Sequence, residues 1–314
     1  MIIHTIILLL AIIIDLIFGE PPNKYHTTAW IGRLIWYIKP KLKSVYKERE
    51  IINGLLGALL IILLVGITSY LSLLFISLNE ILMIIVGSIM LKLTFSIKGM
   101  EDHAMRVINS LHDLTIARRE LSMIVGRDTS SLDEEHILSA VIESISESTT
   151  DGITSALFYY SLFGIIGAFI YRAINTLDSM LGYKDAYNHN IGYFSAKLDT
   201  IANYIPARLT GFITILASIL LNMDWKNGLK ILLRDNSNTP SLNSGWSMAG
   251  VAGALRIRLE KIGYYKLGDP LEKITIEHCY NAIRLMKVIT ILFILIIVLP
   301  LLLIRVYIIN WDFI

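Results

Sequence analysis

One cysteine in 314 residues has nothing to pair with, which excludes an internal disulfide and any cysteine-rich zinc or iron–sulfur site. Cys279 is read as inert filler. Charge is scarce as well. Asp, Glu, Lys and Arg make up 17% of the chain and leave a net +2, which gives no support to a nucleic-acid partner. Familiar phosphate and catalytic signatures are missing: there is no G-x-x-x-x-G-K-[ST], G-x-G-x-x-G, H-E-x-x-H or G-x-S-x-G. A nucleotide would have to be met by an unfamiliar site.

What fills the chain instead is apolar. Hydrophobic residues reach 54% and the mean hydropathy is +0.61, well beyond a soluble domain. About 20 apolar residues cross a bilayer as a helix, and four segments come close or exceed this: Ile2–Phe18, Ile51–Leu78, Ile81–Ile97 and Val288–Tyr307. Two more, Ser155–Ile170 and Leu209–Leu221, are short enough to be buried, interfacial or re-entrant helices. The expectation is an all-α polytopic membrane protein forming one domain over 1–314. It has about four full spans, two short re-entrant or interfacial helices, and helical cytoplasmic loops. The first span lacks a basic n-region and an A-x-A site, so it is read as retained.

Loop charge sets the orientation. Residues 19–50 hold seven basic against three acidic residues, and residues 224–287 ten against six. Both are expected in the cytoplasm, with the N-terminus outside. The 172–208 loop is the open question, and labelling a cysteine at Lys184 would answer it. Charges within spans are costly. Asp15 and Lys92 fall at similar depth, so they either pair, line a cavity or snorkel. Arg305 and Asp312 are read as interface anchors.

Four polar constellations interrupt the oil. In ESISESTTDG, Glu143, Glu147 and Asp151 recur at i, i+4 and i+8. That puts three carboxylates on one helical stripe, a donor set suited to Mg²⁺ unless it is a solvated acidic face. In YRAINTLDSMLG, Asn175 and Asp178 are i, i+3 neighbours on a helix that Gly182 ends. In GYFSAKLDTIANYIPARLTG, Ala196–Tyr204 reads as a helix capped by Ser195 and stopped before Pro206. There Asp199 and Asn203 share a face while Lys197 points elsewhere, and Arg208 offers a fork for a carboxylate or phosphate. The loop RDNSNTPSLNSGW offers backbone N–H groups with Ser241, Asn243 and Ser244 to an anion, and Trp246 follows. Arg127 and Asp128 stand after a glycine in LSMIVGRDT, and GEPPNKYHTTAW combines Glu20 and His26 around two prolines.

Taken in order, DLIFGEPPNKYH…WIG, ARRELSMIVGRDTSSLDE, ESISESTTDGITSALFYY, YRAINTLDSMLGY, GYFSAKLDTIANYIPARLTG and SLNSGWSMAGVAGALRIRLEK resemble the CobD/CbiB family of cobalamin biosynthesis, the adenosylcobinamide-phosphate synthases. The likeness covers roughly residues 11 to 268. Ser148 stands where the family usually has Asn, Thr27 where it has Pro, and Leu242 where it has Pro.

The resemblance implies an amide ligase that uses ATP and Mg²⁺ to join adenosylcobyric acid to aminopropanol phosphate or a related amino alcohol. It also implies a multi-pass protein of the cell membrane whose site faces the cytoplasm, where ATP is, so that the two short helices do not cross fully. Glu143, Glu147 and Asp151 would hold Mg²⁺, with Asp178 and Asp199 as further ligands or the base. Arg127, Lys197 and Arg208 would hold phosphate or the substrate carboxylate. Glu20, His26, Asp128, Asn175, Asn203, Asn243, Ser244 and Trp246 would complete substrate binding. Its partners would be the corrinoid, the amino alcohol phosphate, membrane lipid and either a second copy or other corrinoid-pathway enzymes, with no nucleic acid. The rival classes are a non-catalytic membrane regulator of the same fold and a small-molecule transporter. A transporter would be expected to show an internal repeat, and none is found.

Overall fold

A computed structural model describes residues 2–183 and 185–307, so the labelling position Lys184 and the expected anchor Asp312 lie outside the described residues. In chain order the helices are α1 (Ile2–Phe18), α2 (Thr27–Ile38), α3 (Lys47–Ile76), α4 (Glu80–Lys92), α5 (Lys98–Asn109), α6 (Leu114–Ser122) and α7 (Glu134–Ser148). They continue as α8 (Ser155–Leu181), α9 (Tyr193–Ala202), α10 (Tyr204–Leu220), α11 (Trp225–Asp235), α12 (Ser244–Ala254), α13 (Ile276–Phe293) and α14 (Leu299–Tyr307). Among the described residues the only strands are β1 (Leu259–Lys261) and β2 (Tyr265–Leu267), paired antiparallel. The protein is an all-α polytopic membrane protein.

Among the described residues, three helical stretches are long and apolar enough to cross a membrane: Lys47–Ile76, Glu134–Leu181 and Ile276–Tyr307. A fourth arises if Tyr193–Ala202 and Tyr204–Leu220, broken at Asn203, act together. α3 shows why. Only 22% of its most apolar 18 residues are buried, so one face packs through Gly54, Ala58, Ile61 and Val65 while Leu56, Leu63 and Phe75 stay exposed for lipid. The Glu134–Leu181 stretch is the opposite case, with 72% of its most apolar 18 residues buried.

Two sequence expectations change. The span expected over Ile81–Ile97 is the 13-residue α4, which reaches only ~20 Å against the ~30 Å of a bilayer core. The chain tightens at its end: Leu93 N–H is shared between the Ile89 and Met90 carbonyls, and Thr94 and Phe95 reach back three residues. The Arg172 guanidinium then takes the Thr94 carbonyl at 2.8 and 2.5 Å. Conversely, Ser155–Ile170 belongs to a much longer helix, in which Ser155, Ser161 and Thr176 are buried. α8 is kinked at Phe163 and Gly164, where Gly164 takes φ 66°.

The chain divides into two compact units. The first comprises Met1–Ser96, Ser155–Asn203 and Ile297–Ile314, the second Ile97–Thr154 and Tyr204–Ile296. In the first, α8 packs against α2, α3, α4, α9 and α14, while α1 lies on α4. Arg305 on α14 is therefore no interface anchor. It is 2% exposed and donates to the Tyr160 carbonyl at 3.0 Å. In the second, α7 packs against α5, α6, α12, α13 and β1, and α12 lies on α10 and α11. α7 starts at Asp133, whose carboxylate accepts from His136 N–H at 2.9 Å.

Candidate functional site

The acidic motif builds the centre of the second unit. Glu143, on the buried face of α7, has its carboxylate filled by three donors. Ser139 Oγ reaches Oε1 at 2.9 Å, while Arg127 Nη2 and Tyr265 Oη reach Oε2 at 3.0 and 2.7 Å. Burial and the adjacent Glu143 carboxylate both push the Tyr265 phenol far up from its ordinary value, so it stays a donor. Glu147, one turn on, is exposed. Between it and Arg127 lies a cavity of about 80 Å³, with Gly126 and Ser144 in its wall and Lys261 and Tyr265 opposite. Asp128 does not join this cavity. It is exposed and accepts the Ser130 N–H at 2.9 Å, and that hydrogen bond lowers its pKa.

Asp151 does not continue the stripe. Residues Thr149–Thr154 form a π-helical turn, which changes the phase of the helix after Ser148. Among the described residues no group of three or more His, Cys, Asp or Glu could hold a metal ion. With Glu143 already carrying three donors, the three carboxylates do not fit a Mg²⁺ cage.

The opening of the GYFSAKLDTIANYIPARLTG motif builds a polar centre in the first unit. α9 runs Tyr193–Ala202, starting earlier than its sequence suggests, and Ser195 lies inside it with a buried hydroxyl that has no hydrogen-bond partner among the described residues. Asn203, fully buried, is the connector. Its Oδ1 accepts from Ser155 Oγ at 2.6 Å and Tyr171 Oη at 2.8 Å, and its Nδ2 donates to Asp199 Oδ2 at 3.0 Å. Asn175 Nδ2 donates to Asp199 Oδ1 at 3.3 Å, and Arg172 Nη1 to Asn175 Oδ1 at 3.0 Å. Asp199 is thus a member of a packed network. Asp178 sits half-buried beside Gly182, where a Cβ would run into its carboxylate. Lys197 is exposed, its Nζ 6.0 Å from the Tyr193 ring centre.

The same unit holds a second charged group. Lys92 pairs with Asp15 at 3.4 Å and Glu20 at 3.1 Å, and His26 lies against Glu20 while its other ring nitrogen accepts from Thr28 N–H at 3.1 Å. Asp15 and Lys92 therefore pair. Burial alone would raise the pKa of Glu20. The hydrogen bonds from His26 and Ser96 and the Lys92 charge outweigh it and bring the value to about 2.

Arg208 starts the remaining group, in the second unit. Pro206 does not stop a helix; it sits in the first turn of α10, where its missing N–H costs nothing. The Arg208 guanidinium lies 3.5 Å from the Tyr204 ring centre and 5.0 Å from that of Trp246. Its Nη1 donates to the Tyr204 carbonyl at 2.8 Å and to Asn243 Oδ1 at 3.0 Å. The loop spends its donors on itself: Asn243 and Ser244 N–H reach Ser241 Oγ at 3.2 and 3.4 Å, and Ser244 Oγ reaches Thr239 Oγ1 at 3.3 Å. Arg208 fastens this loop to α10.

Lys261 and Tyr265 are the residues the motifs did not single out. The strand signal was present, two short runs of alternating residues around Gly263. The register pairs Leu259 with Leu267 and Lys261 with Tyr265, so all four side chains share one face. Leu259 and Leu267 are fully buried, and the face they anchor carries Lys261 and Tyr265 to the cavity beside α7.

Comparison with known proteins agrees with this arrangement of motifs. The family model described as CobD/Cbib protein matches residues 8–304. The chain is 43% identical to the probable cobalamin biosynthesis protein CobD of Methanothermobacter thermautotrophicus, over 91% of this chain and 94% of the relative. It is 41% identical to the protein of the same name in Methanocaldococcus jannaschii, covering 93% and 97% of the two chains. To the cobalamin biosynthesis protein CobD of Clostridium perfringens it is 38% identical, covering 91% and 94%. No solved structure matches the chain. By the family match and by these identities, the chain belongs to the CobD/CbiB family.

Proposed function

We propose that the chain acts in cobalamin biosynthesis as an ATP-dependent amide ligase, joining a carboxylate of adenosylcobyric acid to the amine of aminopropanol phosphate or a related amino alcohol phosphate. The observation that carries this reading is the cavity beside α7, where Arg127, Lys261, Glu147 and Glu143 bring two cations and two carboxylates to one small space. Joining a carboxylate to an ammonium needs both signs of charge. The carboxylate is a poor acyl donor until its oxygen takes the γ-phosphoryl group of ATP, releasing ADP. The amine then attacks the acyl phosphate, forms the C–N bond and expels phosphate, after a base has taken the ammonium proton.

The residues divide these tasks. Glu147 takes the proton, since Glu143 is filled by its three donors. Arg127 and Lys261 hold phosphate oxygens. Asp199 and Asn175 belong to the packed network of the first unit. Mg²⁺ accompanies the phosphates of ATP, whose charge it offsets, and is not held by a carboxylate triad. The site faces the cytoplasm of the cell membrane, on the side of the basic loops and of ATP.

The test is synthesis by the purified full chain in lipid nanodiscs supplied with ATP, Mg²⁺, adenosylcobyric acid and aminopropanol phosphate. ATP consumption and the amide product, read by mass spectrometry, are expected only when both acceptor and donor are present. Glu147→Gln is expected to lose about 100-fold or more in turnover. Absence of ATP-dependent amide from the wild-type chain would remove the ligase reading, and undiminished turnover in both Glu147→Gln and Lys261→Ala would remove the residue assignment.

A further inference from the structure

We infer that the corner between α2 and α3 is a docking surface for the headgroups of anionic phospholipids, with Lys41, Lys47 and Arg49 as the cations that receive them. The inference stands on the first unit alone and is independent of the ligase reading.

Lys39, Lys41, Lys43, Lys47 and Arg49 crowd this corner, and they divide into two kinds. Lys39, in the 3₁₀ turn Lys39–Leu42, donates to the Met180 carbonyl near the end of α8 at 3.1 Å. Lys43 donates to the Tyr187 carbonyl at 3.1 Å and pairs with the buried carboxylate of Glu50 at 2.5 Å. The other oxygen of Glu50 accepts from Asn190 Nδ2 at 2.8 Å. Lys39 and Lys43 therefore fasten the corner to the end of α8 and the loop that follows it. Lys41, Lys47 and Arg49 are exposed and make no ion pair with a described residue. Against their three charges stands one exposed carboxylate, that of Glu48.

The surroundings of these three cations say what they meet. Lys41 Nζ lies 3.6 Å from the Tyr37 ring centre, and the Arg49 guanidinium 5.1 Å from that of Tyr46. Both rings are exposed. α2 keeps Ile31 and Ile35 buried and turns Trp30, Arg33, Trp36 and Tyr37 outward. Val45, at the entry to α3, is 96% exposed. Amphipathic rings beside Lys and Arg suit the boundary of a bilayer, where the ring meets lipid and the charge meets headgroups. Depth agrees. Ile52, Leu56 and Leu63 open the lipid-exposed face of α3. Along the helix axis Arg49 and Lys47 stand about 5 and 8 Å before Ile52, which is the depth of a headgroup layer about 5–8 Å thick. A nucleic acid would gain nothing from Val45 and Trp36. A single free phosphate would find no converging donors, because residues two apart, such as Lys47 and Arg49, leave a helix on nearly opposite sides. A leaflet surrounds the helix and meets both.

The experiment is native mass spectrometry of the full chain in a neutral detergent, titrated with phosphatidylglycerol or with phosphatidylcholine. The wild-type chain is expected to bind phosphatidylglycerol about tenfold or more tighter than phosphatidylcholine, and raising the salt should narrow the gap. Lys41→Gln, Lys47→Gln and Arg49→Gln should each weaken phosphatidylglycerol about fivefold and leave phosphatidylcholine unchanged. All three side chains are exposed, so the variants should keep the wild-type melting temperature. Equal wild-type affinity for the two lipids overturns the inference, as does wild-type affinity for phosphatidylglycerol in the triple variant. Displacement of phosphatidylglycerol by millimolar inorganic phosphate, or by a short oligonucleotide, overturns the choice of lipid as the occupant.

Discussion

Lys92 on α4 and Asp15 on α1 face each other at 3.4 Å, with side chains 4% and 0% exposed. Neither charge has water to fall back on, and Lys92 serves two carboxylates, Asp15 at 3.4 Å and Glu20 at 3.1 Å. Removing Lys92 takes the cation from both, a loss worth about 3–5 kcal/mol at buried pairs, while removing Asp15 leaves Lys92 its contact with Glu20. Asp15→Asn and Lys92→Met are each expected to lower the thermal midpoint in detergent sharply. The double variant should recover part of the loss, as a double-mutant cycle on melting temperature would show.

Asn203 offers a second test, because one amide serves three partners. Asn203→Leu leaves Ser155, Tyr171 and Asp199 short of a bond each, at about 1–3 kcal/mol per buried group. Asn203→Asp sets a second carboxylate against Asp199 and is expected to be the worse of the two. Yield of folded protein and melting temperature rank the variants. Equal stability of wild type and Asn203→Leu would contradict the network.

Glu20 predicts a pH dependence. Its carboxyl titrates at about 2 in the folded chain against 4.5 ordinarily, so the folded state holds it ionised where the unfolded chain would protonate it. The stability this supplies is complete above about pH 4.5 and is lost as pH falls toward 2. Unfolding followed from pH 6 to pH 3 should steepen on the acid side in the wild type and flatten in Glu20→Gln.

Two glycines separate crowding from strain. A Cβ on Gly253 would meet the Asn227 carbonyl oxygen at 2.7 Å and Ile231 Cβ at 2.8 Å, where α12 lies on α11. Gly263 has nothing within 4 Å but takes φ 77°. Gly253→Ala is expected to cost about 1–3 kcal/mol by overpacking. Gly263→Ala should cost about 1–2 kcal/mol by backbone strain alone. Gly263→Asn should recover most of that loss, and the same change at Gly253 should not.

How much of this the sequence showed depends on the distance between partners. Asp199 and Asn203 lie four residues apart on one face, and their bond was readable from spacing. So was the end of α8 at Gly182. The partners of Glu143 were not: Tyr265 is 122 residues away, and without it a triad of carboxylates looked like a metal cage awaiting an ion. The π-helical turn that moves Asp151 out of phase leaves no mark in an i, i+4, i+8 count. The end of α4 at Lys92 was hidden for the same reason, since the apolar run continues through Leu93 to Ile97. It is Arg172, 78 residues on, that claims the Thr94 carbonyl. Arg208 was read as a fork for a carboxylate or phosphate, and its stacking was not legible because the Trp246 ring comes from another helix.

The interleaving of the two units bears on how the protein is made. The chain passes from one unit to the other after Ser96, Thr154, Asn203 and Ile296. No cut at a single peptide bond frees either unit whole. As the ribosome delivers the chain from its N-terminus, the unit that begins second has all its segments once Ile296 has emerged. The unit that begins first must wait for Ile297 onward, including the buried Arg305. Asp15 and Lys92 are synthesised early, yet the assembly around them is the last to be completed.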